Sequence, residues 1–135
     1  MSVFFDTNVL IYAQQDGEKA EVARRLLAEG GFISIQVINE FTQVSRRKLG
    51  RSWSEIGPAI ADILAVLPPP LPITLAMSDA ARRLAEAYSL SFYDALIIAA
   101  ALEARCTTLL TEDLQDGQRF DDLIVLNPFV MPSRI

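Results

Sequence analysis

The sequence predicts an α/β fold, a three-layer α/β/α sandwich around a central, mostly parallel sheet of about five strands. Three observations lead there. Short β-branched and aromatic runs alternate with stretches of helical periodicity, glycines and prolines punctuate the boundaries, and residues 95–102 form a helix segment apolar on every side. A helix of that kind is part of a core and needs cover all round.

Residues 2–5 read as a strand that ends at Asp6-Thr7-Asn8, residue types that suit a turn or a helix start. Asp16-Gly17 separates this first helix from a second, in which Ala20, Val22, Ala23, Leu26 and Leu27 recur with helical period up to Gly30-Gly31. Residues 32–35 read as a second strand. A helix over 36–49 follows, with Val37, Phe41 and Val44 on one stripe, and Gly50 stops it.

Ser52 can cap a helix through Trp53, Ile56, Ile60, Ile63 and Leu64, with Pro58 the place for a kink and Pro68-Pro69-Pro70 its end. The proline run reads as a stiff connector. Residues 73–75 read as a short strand and 78–88 as a helix. Ser91 caps the apolar helix that runs to about Arg105, and residues 107–110 and 123–126 are the last two strands. There is no internal repeat, and the 135 residues read as a single domain over 1–135.

A hydrophobic share of 51% and a mean hydropathy of +0.27 exclude a disordered chain. Surface scaling gives about 7,000 Å² for the folded chain against about 21,600 Å² unfolded, enough burial for a real core. The apolar run at 95–102 is closed by Asp94 and Glu103, far short of the ~20 residues that a bilayer span requires. With no basic leader ahead of the first apolar run, the expectation is a cytoplasmic protein without a membrane segment.

Cys106 is the only cysteine, which excludes an internal disulfide and Cys-rich metal sites, and it reads as a small core residue. The count of zero histidines excludes Ser-His-Asp and Cys-His nucleophile systems and the usual zinc sites. The common glycine-rich nucleotide loops are missing too. Chemistry on this chain therefore runs on carboxylates, hydroxyls, basic groups or a metal held by oxygen.

Four of the 17 acidic residues stand out from the solvated majority. Asp6 follows the run Val3-Phe4-Phe5 at the C-terminal end of the first strand, where open α/β sheets bind ligands; a helix cap is its ordinary reading. Glu40 falls on the apolar stripe between Val37 and Val44, where a carboxylate is costly, unless it sits at the stripe's edge or pairs with Arg47 or Lys48. Asp94 opens the apolar helix, a place that the helix dipole also favours. Asp113 follows the strand at 107–110, where a turn residue would serve as well, and Glu112 and Asp116 compete with it.

Converging carboxylates repel one another unless protons or hard cations offset their charge. Mg²⁺ and Mn²⁺ prefer such all-oxygen ligands. Without these four acids the net charge of −5 would be −1, so an acidic balance does not oppose a nucleic-acid partner.

Asp6-Thr7-Asn8-Val9-Leu10, Glu40 in Asn39-Glu40-Phe41, Asp94 in Tyr93-Asp94-Ala95-Leu96-Ile97, and Thr111-Glu112-Asp113 resemble the four acidic motifs of PIN-domain ribonucleases, in the family's order. The chain is similar in particular to VapC-type toxins of type II toxin-antitoxin pairs. The resemblance spans residue 6 to about residue 116. It implies a PIN-like fold and Mg²⁺- or Mn²⁺-dependent endonucleolytic hydrolysis of RNA. Asp6, Glu40, Asp94 and Asp113 would be the catalytic, metal-binding acids, with Thr7, Asn8 and Thr111 supporting them. It further implies a homodimer and a cognate antitoxin protein.

For the RNA phosphates, Arg46, Arg47, Lys48 and Arg51 form the densest basic group, ahead of Arg24-Arg25 and Arg82-Arg83. No interleaving of aromatic and basic residues marks a stacking platform for single strands. The other function classes are a catalytically silent binding or scaffold module on the same fold, and a related metal-dependent nuclease acting on DNA.

Overall fold

A computed structural model of the chain describes residues 2–130. In chain order the elements are β1 (Val3–Phe5), α1 (Thr7–Ala13), α2 (Glu18–Glu29), α3 (Ile35–Arg47), α4 (Trp53–Val66), α5 (Leu75–Tyr88), α6 (Phe92–Glu103), β2 (Thr108–Leu110), β3 (Arg119–Phe120) and β4 (Leu123–Leu126). The sheet order is β1-β2-β4-β3, with β1-β2 and β2-β4 parallel and β3-β4 antiparallel.

Successive strand residues face opposite sides of a sheet. In β2 the consecutive Thr108, Leu109 and Leu110 are all buried, as are Phe4 and Phe5 in β1, so both faces are covered. This is the three-layer α/β/α sandwich that the sequence predicts. The accessible surface is 7381 Å², close to the size-based expectation.

Side-chain caps set most helix starts. Ser34, Ser52, Thr74 and Ser91 each accept a hydrogen bond from a backbone N–H in the first turn of α3, α4, α5 and α6, and Ser52 with Glu55 closes a reciprocal capping box. The helix α4 runs unbroken through Pro58. Residues 95–101 of α6 are buried throughout, and Cys106 lies in the same core. No single helix among the described residues is long and apolar enough to cross a membrane.

The sheet departs from the expected five strands in three places. Residues 32–35 contribute only single parallel bridges, Phe32 to Phe4 and Ser34 to Leu71, because Ser34 already caps α3 and leaves no room for a ladder. The expected strand at 73–75 is absent: Thr74 caps α5 and Leu75 is its first residue. In exchange β3, too short to show in the sequence, pairs with β4 across a turn in which Asp121 takes a φ of 54°.

One glycine is dictated by packing. A Cβ at Gly31 would run into the Phe5 ring and lie 3.0 Å from the Val3 carbonyl, so only glycine lets this segment lie against β1.

Candidate active site at the strand ends

The parallel register aligns Phe5 with Leu110, so the next residues, Asp6 and Thr111, leave the sheet side by side at its C-terminal edge. The Asp6 amide donates to the Leu110 carbonyl (3.0 Å), and the Thr111 amide to the Leu126 carbonyl (3.1 Å). Across this junction the Thr111 hydroxyl donates to Asp6 Oδ2 (2.8 Å), while Asp6 Oδ1 accepts from the Thr7 amide (2.6 Å) at the start of α1. Asp6 is thus both the helix cap and the buried centre of a polar cluster, only 4% exposed.

Burial is the main force acting on the Asp6 carboxyl. It pushes the pKa up from 3.8 to about 7, against the lowering effect of the bonds from Thr111 and Thr7, and the charges of Glu40 and Asp113 add to the rise.

Glu40 lies one turn beyond Gln36 on the inner side of α3. Its Oε1 accepts from the Thr7 hydroxyl (3.0 Å) and its Oε2 from the Gln36 amide (2.9 Å). It pairs with neither Arg47 nor Lys48 among the described residues. Asp113 is exposed, and its Oδ2 accepts from Asn8 Nδ2 (3.1 Å).

The Thr111 hydroxyl has no bonding capacity to spare. It donates to Asp6 and accepts from Asn8 Nδ2 and from the Asp113 amide, each at 3.1 Å. Thr111→Val strips all three at once, so the variant is expected to lose about 1 to 3 kcal/mol of stability. Divalent-metal affinity should fall roughly 10- to 100-fold, as for other groups that orient ligands. Thr111→Ser should restore both, and a variant pair with equal Mn²⁺ affinity by calorimetry would contradict this role.

Asp6, Glu40 and Asp113 are therefore joined through Thr7, Asn8 and Thr111. Asp94 stands apart: it lies in the first turn of α6, its amide donating to Ser91 Oγ (3.2 Å), and its carboxylate has no hydrogen-bond partner among the described residues. α3 and α6 pack together, and Tyr93 and Glu40 line a common cleft with Gln36, Asn39 and Gln43. A second cleft of about 310 Å³ brings Thr7, Asn8, Glu40, Glu112 and Asp113 against Lys48 and Leu49.

The competing acids are engaged elsewhere. Glu112 accepts from Tyr12 Oη (2.5 Å) and from Lys19 Nζ (3.0 Å), and this hydrogen bond holds the Tyr12 hydroxyl above its ordinary pKa. Asp116 accepts from the Asn127 amide (2.8 Å). Gln36, Tyr12 and Lys19 carry no motif signal; only the four-residue spacing of Gln36 to Glu40 was visible in the chain.

A hard cation suits this donor set in a particular way. Asn8 Oδ1 is buried with no partner, an acceptor that lacks a donor or a cation, and the buried Asp6 carboxylate needs positive charge to ionise easily. Among the described residues no three carboxylates stand close enough to form a cage. These features fit an ion of the Mg²⁺ type, which is commonly held by one or two carboxylates plus water and phosphate oxygens.

The family model of the PIN domain matches residues 3–122. The chain belongs to the PIN-domain family. Three solved structures share the PIN fold with it. A toxin-antitoxin complex from Klebsiella pneumoniae is 21% identical, with a TM-score of 0.68 over 91% of this chain and 96% of that one. VapBC2 from Rickettsia felis, bound to a DNA fragment from its promoter, is 21% identical, with a TM-score of 0.67 over 93% and 97%. VapC20 from Mycobacterium tuberculosis, a toxin that cleaves the sarcin-ricin loop, is 20% identical, with a TM-score of 0.64 over 80% and 87%. No curated protein sequence matches the chain significantly. Within the PIN fold, Asp6 and Asp113 of this chain follow the carboxyl ends of β1 and β2, Asp94 lies in the first turn of α6, and Glu40 lies in the middle of α3.

Proposed function

We propose that this PIN domain is a Mg²⁺- or Mn²⁺-dependent endoribonuclease and the toxin of a toxin-antitoxin pair. The observation that carries the reading is the buried Asp6 carboxylate, linked through Thr7, Asn8 and Thr111 to Glu40 and Asp113 at the carboxyl edge of a parallel sheet. The toxin-antitoxin setting rests on the likeness to a toxin-antitoxin complex, to VapBC2 and to VapC20. It brings with it a cognate antitoxin, a homodimer and a cytoplasmic place of action.

Asp6, Glu40, Asp94 and Asp113 would hold the ion directly or through water. Once bound, the ion would lower the pKa of an attacking water and offset charge on the phosphate and leaving oxygen. The Thr7 hydroxyl and Gln36 amide fix the Glu40 carboxylate. Asn8 and Thr111 fix Asp113 and Asp6, so the carboxylates meet a substrate already oriented. With no histidine in the chain, proton transfer would fall to a carboxylate or to solvent.

The test is cleavage of end-labelled RNA and of DNA with the same sequence, in Mn²⁺ and in EDTA. Cleavage of RNA alone, abolished by EDTA, is expected. Cleavage of DNA would assign the site to a deoxyribonuclease, and no cleavage of either across a broad RNA panel would favour a binding module.

A further inference from the structure

We propose that Trp53 and Arg46 form a platform on which one base of single-stranded RNA stacks at the rim of the carboxylate cleft. The proposal rests on the nuclease reading above. Trp53 is the only tryptophan of the chain, and it is 65% exposed at the first position of α4. A large indole left in water is costly unless something covers it.

One partner is in place: the Arg46 guanidinium lies 4.7 Å from the indole centre. The sequence hides this pair, because seven positions and a chain reversal at Gly50 (φ 64°) separate its members. The pair is held from both sides. Arg46 Nη1 donates to the Arg51 carbonyl (3.0 Å), the Arg51 amide donates to the Ser45 carbonyl (3.0 Å), and Arg51 Nη2 reaches Gln14 Oε1 (3.4 Å) at the end of α1. On the other side the Ser52-Glu55 capping box fixes the backbone that carries Trp53. A rigid aromatic surface loses little entropy when a ligand settles on it.

Location and charge point to a nucleic acid. Lys48 and Leu49, between Arg46 and Trp53 in the chain, line the cleft that contains Thr7, Asn8, Glu40 and Asp113. Arg47 and Lys48 follow Arg46 at the C-terminal end of α3, and among the described residues Arg46, Arg47, Lys48 and Arg51 form no ion pair. The acid closest in sequence, Glu55, has its carboxylate held low by the Ser52 amide and, more weakly, by the charge of Arg51. An apolar protein helix would gain little beside this basic helix end, whereas an RNA strand would set its phosphates on Arg47 and Lys48 and a base on the indole.

The single tryptophan reports on itself. In EDTA, where no cleavage competes, a short single-stranded RNA is titrated into the wild-type protein, beside an abasic ribose-phosphate chain of equal length. The expected result is saturable quenching of Trp53 fluorescence by the RNA and none by the abasic chain. By anisotropy of labelled RNA, Trp53→Ala should weaken binding about tenfold and Trp53→Phe much less, as for the loss of one stacked base. Equal RNA binding by wild type and Trp53→Ala, with fluorescence unquenched, would overturn the platform and leave the nuclease reading intact. Absence of both binding and Mn²⁺-dependent cleavage would remove the nuclease reading and the platform together. Fluorescence that changes with protein concentration alone would assign Trp53 to contacts between copies of the chain, and the platform would fall.

Discussion

Asp6→Asn is expected to lower RNA cleavage by about 10² or more and to abolish calorimetric Mn²⁺ binding, with the fold retained. The amide oxygen can still accept from the Thr7 N–H, so the start of α1 keeps its cap. The charge is gone, and the new NH₂ faces the Thr111 hydroxyl, which must give up its donation. An equal loss in Glu112→Gln would contradict the assignment of the fourth acid, because Glu112 is turned toward Tyr12 and Lys19. Asp113→Asn, which weakens the contact with Asn8, should therefore cost more than Glu112→Gln.

The second large effect concerns stability without metal. The Asp6 carboxyl titrates at 3.8 as an ordinary aspartate and at about 7 in the folded protein. Between these values the folded chain keeps a proton that the unfolded chain releases, so stability falls as pH rises from about 4 to 7. Below that window Asp6 contributes no slope, and above it the loss is complete. At 1.36 kcal/mol per unit, the shift corresponds to roughly 4 kcal/mol.

Urea unfolding in EDTA should show this decline in wild type and a much flatter profile in Asp6→Asn. Mn²⁺ should recover stability at pH 7.5 far more than at pH 5, because it binds only the ionised form. Superimposable wild-type and Asp6→Asn profiles would show that Asp6 is ionised at neutral pH without help.

The sequence revealed what depends on neighbours along the chain. Ser34, Ser52 and Ser91 precede periodic apolar runs, so the helices α3, α4 and α6 could be placed by cap and stripe. The same chemistry misled at residues 73–75, where Ile73 and Leu75 look like a strand but Thr74 is a cap. At residues 32–35 the extended stretch between Gly31 and Ser34 is too short for more than isolated bridges.

In the site, acids after apolar runs marked Asp6 and Asp113, and helical phase marked Glu40. What stayed hidden needs partners far away. The bond between Lys19 and Glu112 that diverts the latter spans 93 positions, and nothing local distinguishes Glu112 from Asp113. The role of Thr111 as the hub of three bonds depends on the parallel register of β1 and β2. Asp94 was legible as a first-turn acid of α6, which is where it lies.

That register bears on how the chain is made. Asp6 is synthesised 105 residues before its Thr111 partner, and within the sheet β1 pairs only with β2. Chains emerge from the ribosome N-terminus first, and contacts this distant in sequence form last. A nascent chain therefore carries Asp6 and Glu40 without the assembled carboxylate cluster until Thr111 has emerged. If the proposed activity holds, cleavage competence would arrive only after β2 and Thr111 have left the ribosome and paired with β1.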